Sequence, residues 1–262
     1  MEIVVTIKHV PDPNIPPAHF SIDPSGRRVV VPSGMPPLMN GYDANALEAA
    51  LRLREKHGGS ITAISLGDDG ARDSLRKAIA MGANKAILVS DPALDGADSA
   101  LTARALAAAI RRIGSPDLVM CGRQSSDTDA GQVLFRIAAL LELPVVSPIR
   151  AIDTYADGAL VVQRLGEEIT QRVRVTLPAV LGVSSEINEP RYPAMKGIMA
   201  ANRAQIPAWS LEDLGMTDST RLVELERVYM EERSGNVELV QGDSGAEIGA
   251  KLADRLREAG VI

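Results

Sequence analysis

The stretch SITAISLGDDGARDSLRKAIAMGANKAILVSD, Ser60 to Asp91, decides the fold. Its opening, SITAISL, is a buried-strand run that ends in a glycine, and KAILV is another. Between them ARDSLRKAIAM reads as a helix closed by Gly82. Strand, helix and strand in so short a span make one parallel crossover unit.

Working outward, the same grammar repeats. IVVTIKHV (Ile3 to Val10) is β-branched with no alternation, as expected of a strand covered on both faces. A proline-rich loop, 11–37, follows. YDANALEAALRLREKHGG then sets Ala46, Leu47, Ala50, Leu51 and Leu53 on one helical face, with Asp43 as N-cap and Gly58-Gly59 as the stop. ADSALTARALAAAIRRIG is an Ala-rich helix, PDLVMCG a strand, DAGQVLFRIAALLEL (129–143) a helix and PVVSPI (144–149) a short strand. GALVVQRL and EITQRVRVTL, parted by GEE, read as a hairpin on the edge of the sheet, and PAVLGVSS as a further buried strand. The expected class is α/β, a doubly wound, mostly parallel Rossmann-like sheet with an antiparallel hairpin. The chain is expected to divide into a nucleotide-binding α/β domain (1–186), an exposed partner-recognition arm (187–206) and a C-terminal extension (207–262) that wraps onto a partner subunit or onto its own domain. Within that extension SLEDLG reads as a short helix capped by Ser210, and SGAEIGAKLADRLREAG as an amphipathic helix with Ile248, Leu252 and Leu256 on its stripe.

The totals exclude several classes. With 28 basic against 34 acidic residues and a net charge of −6, nothing recruits nucleic acid. A single cysteine, Cys121, rules out a disulfide framework and multi-cysteine metal sites and suits a reducing compartment. No signal peptide or membrane-spanning run shows, so a cytoplasmic protein without membrane insertion is expected. The three histidines, His9, His19 and His57, are scattered, which leaves no triad to assemble. Cys121 reads as a small buried hydrophobe.

In an open parallel sheet ligands bind beyond the carboxyl ends of the strands, so the informative loops are KHVPDPN, LGDDG and CGRQSSD. The third offers Gly122 for close backbone approach, hydroxyls at Ser125, Ser126 and Thr128, and helix amides near Asp129 to Gln132 that suit a phosphate. Asp127 and Asp129 would repel a phosphate and are assigned to capping or to ribose hydroxyls, with Arg123 and backbone amides left for the phosphate. A polar loop of this kind is equally what a plain helix cap looks like, and on residues alone both readings stand. No G-x-G-x-x-G follows the first strand and no G-x-x-x-x-G-K-[ST] occurs, which counts against ordinary dinucleotide binding and against ATP hydrolysis. The arm NEPRYPAMKGIMAANRAQIP carries Tyr192, Met195, Ile198 and Met199, adaptable apolar side chains that either dock another protein, the reading preferred for an extended arm, or pack back on their own domain.

Four motifs, in order, resemble the β subunit of electron-transfer flavoproteins. NEPRYPAMKGIMAANR resembles that family's signature arm; PLMNGYDANALEAALRLRE, AIAMGANKAILV and CGRQSSDTDAGQV resemble three further stretches, and the likeness covers about residues 1–206. The resemblance implies a heterodimer with an α subunit that carries most contacts to an FAD, electron transfer between a flavin-dependent dehydrogenase of acyl-CoA type and an acceptor, and AMP held in the β subunit. In flavin-bifurcating members a second FAD takes the place of AMP and accepts hydride from NADH. Carried over, the nucleotide contacts fall on Lys8, His9, Asn40, Leu66, Gly67 and the run Cys121, Gly122, Arg123, Gln124, Asp127, Thr128, Asp129, Ala130, Gly131, Gln132 and Val133. Tyr42 matches an aromatic position near the partner's flavin. Met195 matches the apolar anchor for dehydrogenases, with Arg191, Tyr192, Ile198 and Met199 beside it. Three departures stand out: no clustered lysines follow in IMAANRAQI, Gly41 replaces a proline, and Thr128 stands at the position that separates AMP-holding from bifurcating members, while Gln132-Val133 has the bifurcating form. The rivals are an ATP-using enzyme and a nucleotide sensor on a similar α/β fold.

Overall fold

The computed structural model describes residues 1–230 and 237–262. They form two units, Met1–Val228 and Tyr229–Ile262. In chain order the first unit contains β1 (Glu2–Thr6), α1 (Gly41–His57), β2 (Ser60–Leu66), α2 (Ala71–Met81), β3 (Lys85–Val89), α3 (Ser99–Ile113), β4 (Leu118–Gly122) and α4 (Val133–Leu141). There follow β5 (Val145–Ala156), β6 (Ala159–Leu165), β7 (Thr170–Thr176), β8 (Ala179–Val183), α5 (Met195–Arg203) and β9 (Ala208–Trp209). The strands make one sheet in the order β7-β6-β5-β8-β4-β1-β2-β3-β9. From β5 to β9 the pairing is parallel, and β6 and β7 extend it as an antiparallel edge.

The runs without alternation are strands covered twice. On β1, Ile3 and Val5 face a layer containing Leu47 and Leu51 of α1 and Leu75 of α2. Val4, between them, faces the opposite layer with Leu106 and Ile110 of α3 and Leu134 and Ile137 of α4. With few aromatics available, small side chains bring helices close to the sheet: Ala46, Ala50, Ala103 and Ala107 are wholly buried. Gly182 of β8 serves the same end, because a β-carbon there would stand 2.2 Å from Ser147 Oγ and 2.8 Å from Leu134 Cδ1.

Several elements differ from their sequence reading. Asp43 is not the N-cap of α1; Asn40 holds that position and Asp43 lies inside the first turn. α4 begins at Val133, not at residue 129, because Asp129 (φ 52°) and Gly131 (φ 59°) take left-handed backbone that no helix continues through. The short strand expected over 144–149 runs on to Ala156 and pairs with β6 across the Asp157-Gly158 turn. The loop of the arm contains a helix, α5. The segment SLEDLG is a turn in which Asp213 Oδ2 accepts from both Ser210 N and Ser210 Oγ, at 3.0 Å each, and it is not a helix. Ahead of it β9 joins the sheet beside β3, and Leu211 is buried against α3, so the first unit extends past residue 206 as far as Val228.

The second unit holds α6 (Gly245–Glu258). Ser244 Oγ accepts from Glu247 N at 3.2 Å while the Glu247 carboxylate accepts from Asp243 N at 2.9 Å, a reciprocal N-terminal cap. None of its residues is buried, Leu252 included.

The Gly182→Ala variant is expected to lower the stability of the chain by about 1–3 kcal/mol through overpacking against Ser147 and Leu134. Urea titration followed by circular dichroism measures it, and an unchanged midpoint would show that the layer yields freely.

Candidate functional site

Strand order turns back on itself at β1. The chain passes from β1 through α1 to β2 on one side, and later through α3 to β4 on the other, so α1 and α3 lie on opposite faces; in open parallel sheets ligands bind at such a point, past the carboxyl ends of the two central strands, here β1 and β4. The loops after these two strands are Lys8 onward and Arg123–Gln132.

One buried carboxylate joins the two strand ends. Asp43 Oδ2 accepts from Lys8 N at 2.8 Å, and Oδ1 accepts from Gly122 N at 3.0 Å. Burial pushes the acid up to about 6, against the pull of the donors on Lys8, Asn40 and Gly122. Gly122 must be glycine for this contact: a β-carbon there would lie 2.4 Å from Asp43 Oδ1 and 2.7 Å from Tyr42 Cβ. The close approach expected at Gly122 is thus made by the start of α1. Asn40 adds a second tie, donating Nδ2 to Gln124 O at 2.9 Å and accepting from Ser126 N at 3.3 Å.

Around this frame the polar groups converge. Lys8 Nζ donates to Asp127 at 2.7 Å, to Ser125 Oγ at 3.2 Å and to Thr128 Oγ1 at 3.4 Å. Burial resists charge on Asp127, yet Lys8 and Ser125 hold its carboxyl below the ordinary carboxylate value. The Arg123 guanidinium stands 5.5 Å from the Tyr42 ring centre, a cation–π contact, and its Nε donates to Gln124 Oε1 at 2.8 Å. Gln124 donates to Asp129. Residues 126–130 are exposed, and Gln132 caps α4, whose first amides lack intrahelical partners.

Of the residues singled out, Lys8, Asn40, Tyr42, Gly122, Arg123, Gln124, Asp127, Thr128 and Asp129 meet in one place. Ala130, Gly131 and Gln132 continue the same loop, and Gln132 Oε1 accepts from Arg136 at 3.2 Å. Others turn elsewhere. His9 Nδ1 lies 2.8 Å from Ser74 Oγ on α2, and burial lowers its pKa against the opposing pull of Asp73 and Asp68. Leu66 ends β2 with its side chain packed toward α3, and Gly67 N donates to Val89 O, which commits that amide to the ladder. Val133 packs on the core. The Cys121 side chain is buried and its thiol is pushed up to about 12 by burial, so it is the small hydrophobe expected and only its backbone reaches the crevice. The residue whose site role went unread is Asp43. Its signal was available: a carboxylate one turn into a helix whose neighbours Ala44, Ala46 and Leu47 are all apolar has to be buried, and so has to find donors.

In the arm, Tyr192 is 93% and Met195 73% exposed, with Ile198 and Met199 also in water. Arg191 is engaged by Glu48 and Glu55. Among the described residues there is no cluster able to hold a metal ion and no helix long and apolar enough to cross a membrane.

A mostly parallel sheet whose polar loops gather past the strand ends at its reversal point defines a doubly wound α/β subunit. Comparison with known proteins gives the family. Residues 28–214 match the electron transfer flavoprotein domain. The chain is 41% identical over 215 residues to the electron transfer flavoprotein subunit beta of Thermoanaerobacterium thermosaccharolyticum, covering 82% of this chain and 80% of that one. It is 35% identical to the caffeyl-CoA reductase-Etf complex subunit CarD of Acetobacterium woodii across the full length of both. It is 39% identical over 228 residues to protein FixA of Azorhizobium caulinodans, covering 84% and 79% of the two chains. The chain belongs to the electron transfer flavoprotein family, among its β subunits.

Substituting Asp43 tests the tie between the strand ends. An acid whose folded pKa of about 6 exceeds its ordinary 3.8 keeps more protons folded than unfolded between those values, so its contribution to stability is lost as pH rises through that window. The stability difference between wild type and Asp43→Asn is therefore expected to change from about pH 4 to about pH 6 and to level off above. Denaturation series on both proteins measure it. An asparagine has one acceptor oxygen for two amides, so the Lys8 or Gly122 amide should also exchange about tenfold faster, the effect of one hydrogen bond lost.

Proposed function

We propose that this chain pairs with an electron transfer flavoprotein α subunit and that the heterodimer carries electrons between a flavin-dependent dehydrogenase and an acceptor through FAD. In this reading the crevice between β1 and β4 holds an adenine nucleotide, AMP or the adenosine end of a second FAD. The observation that carries it is the convergence of Lys8, Arg123, Asn40 and the exposed run 126–130 on the reversal point of the sheet.

The residues present fit such a group. Lys8 already binds an anion of its own chain, the Asp127 carboxylate, and a phosphate is an acceptor of the same kind that would take its place. Arg123 is a second cation, and the first amides of α4 are further donors. Asp127 and Asp129, released from Lys8 and Gln124, are acceptors for ribose hydroxyls. FAD, when bound, supplies reversible one- and two-electron chemistry. The chain's own part is to bind, to orient and to exclude water: Tyr42, beside Arg123, covers the partner's flavin from the start of α1, and the arm docks the dehydrogenase. The acyl-CoA type of dehydrogenase is favoured by the relative whose name includes a caffeyl-CoA reductase. The absence of a glycine-lysine phosphate loop disfavours the ATP-using rival, and family membership disfavours the sensor.

Co-expression with the α subunit should yield a yellow heterodimer. Counting nucleotides released on denaturation decides the occupant: one AMP and one FAD per heterodimer, or two FAD, the arrangement in which NADH becomes a hydride donor. Lys8→Ala should cut the nucleotide retained in this subunit about tenfold or more, as expected for a lost charge-assisted bond. A heterodimer with no nucleotide beyond one FAD, or full retention in Lys8→Ala, would overturn the assignment.

A further inference from the structure

The first turn of α1 ties the two strand ends, and the outward face of the helix performs a separate task. Asn45, Glu48, Arg52 and Glu55 lie three and four residues apart, on one stripe of the helix. All of them meet the first residues of the arm. Asn45 Nδ2 donates to Asn188 O at 2.7 Å, and Asn188 Nδ2 returns a bond to Asn45 O at 3.1 Å. Glu48, only 2% exposed, accepts from Arg191 Nε at 2.7 Å, from Arg191 Nη2 at 3.2 Å and from Arg191 N at 3.3 Å, and is flanked by Arg52 at 2.7 Å. Glu55 takes the other side of the same guanidinium, at 2.5 Å and 3.2 Å.

The far end of the arm is held as firmly. Gly197 of α5 lies so close to α2 that a β-carbon would stand 2.2 Å from Ala80 O, and Ala201 is buried there. Arg72 donates to Ile206 O, and Arg76 to Ala201 O at 3.4 Å. Tyr192 follows the clamp, and Met195, Ile198 and Met199 lie on α5, all four exposed. Burying a carboxylate is costly unless its partners are held in place, and an arm that ordered only on contact with a partner would need no such group. A segment fixed in advance loses less conformational entropy on docking.

We propose that Glu48 is the positioning residue of the arm: with Asn45 and Glu55 it clamps Asn188 and Arg191 to α1, so that Tyr192, Met195, Ile198 and Met199 are presented in one preset place. Arg191 then acts inside the chain as the fork that joins arm to helix, in place of a direct partner contact. The consequence for docking rests on the function proposed above; the positioning does not.

The test is a distance measurement on the full chain. Cys121 is buried, so spin labels are directed to cysteines introduced at Lys196, in α5, and at Ser115, in the exposed loop before β4. The otherwise unaltered pair should give one narrow distance distribution. Glu48→Gln should broaden and shift it, as should Arg191→Ala, whose site is partly exposed and whose folding is the less at risk. Amide exchange over residues 188–203 should rise about tenfold in both, while that of β1 and β4 stays unchanged. An unaltered distribution in Arg191→Ala, or a broad one before any substitution at the clamp, overturns the proposal. If the clamp behaves as stated but a dehydrogenase binds equally well with the arm residues replaced, the positioning stands and the docking role of the arm is what fails.

Discussion

The junction of the two central strands is held by the buried carboxylate of Asp43. Parallel strands end in backbone amides that face open crevice, and at the reversal point the two central strands diverge toward helices on opposite faces. Asp43 meets both problems at once, accepting one amide from the end of β1 and one from the end of β4. Because Gly122 has no side chain, the first turn of α1 sits directly on the strand end, and Tyr42 and Asn40 come with it. The acid resists ionisation in that setting, and its donors oppose the resistance, so the contact is kept by geometry more than by charge.

From that anchor α1 organises the two faces of the molecule that matter for function. Its N-terminal turn frames the loop that follows β4, and its outward stripe holds the root of the arm. Within the crevice the charged groups are paired with one another: Lys8 with Asp127 and Gln124 with Asp129, with Arg123 over Tyr42. Such groups are already in position, so an anion bound there, as proposed, would exchange one partner for another and order little that was free. In the function proposed, the subunit would contribute to electron transfer by setting distance and orientation.

Much of this was legible in the residues, for physical reasons that differ by element. Doubly covered strands have no polar alternation, so ITAISL, KAILV and DLVM declare themselves, and Gly58 and Gly82 mark where their helices stop. The site loop showed through its polarity at the end of an apolar run. What did not show was anything decided by distant contacts. The start of α4 depends on left-handed backbone at Asp129, where the residue type allows either choice. The length of β5 follows from β6 beside it, which carries the chain well beyond Pro148. Nor does a local window around NEPRYP reveal that Arg191 is held by carboxylates 143 and 136 residues away. His9 follows the first strand as expected, yet it is turned aside by Ser74, which a reading by position had no means to see.

In the function proposed, the end of β1 and the loop after β4 form one adenine-nucleotide site. Hydrogen exchange of the full chain with and without added AMP tests it most directly. Protection concentrated at Lys8, residues 40–43 and residues 122–133, with the β6–β7 hairpin unaffected, is the predicted result. Exchange in those segments that AMP leaves unchanged, or protection confined to another part of the sheet, would contradict it.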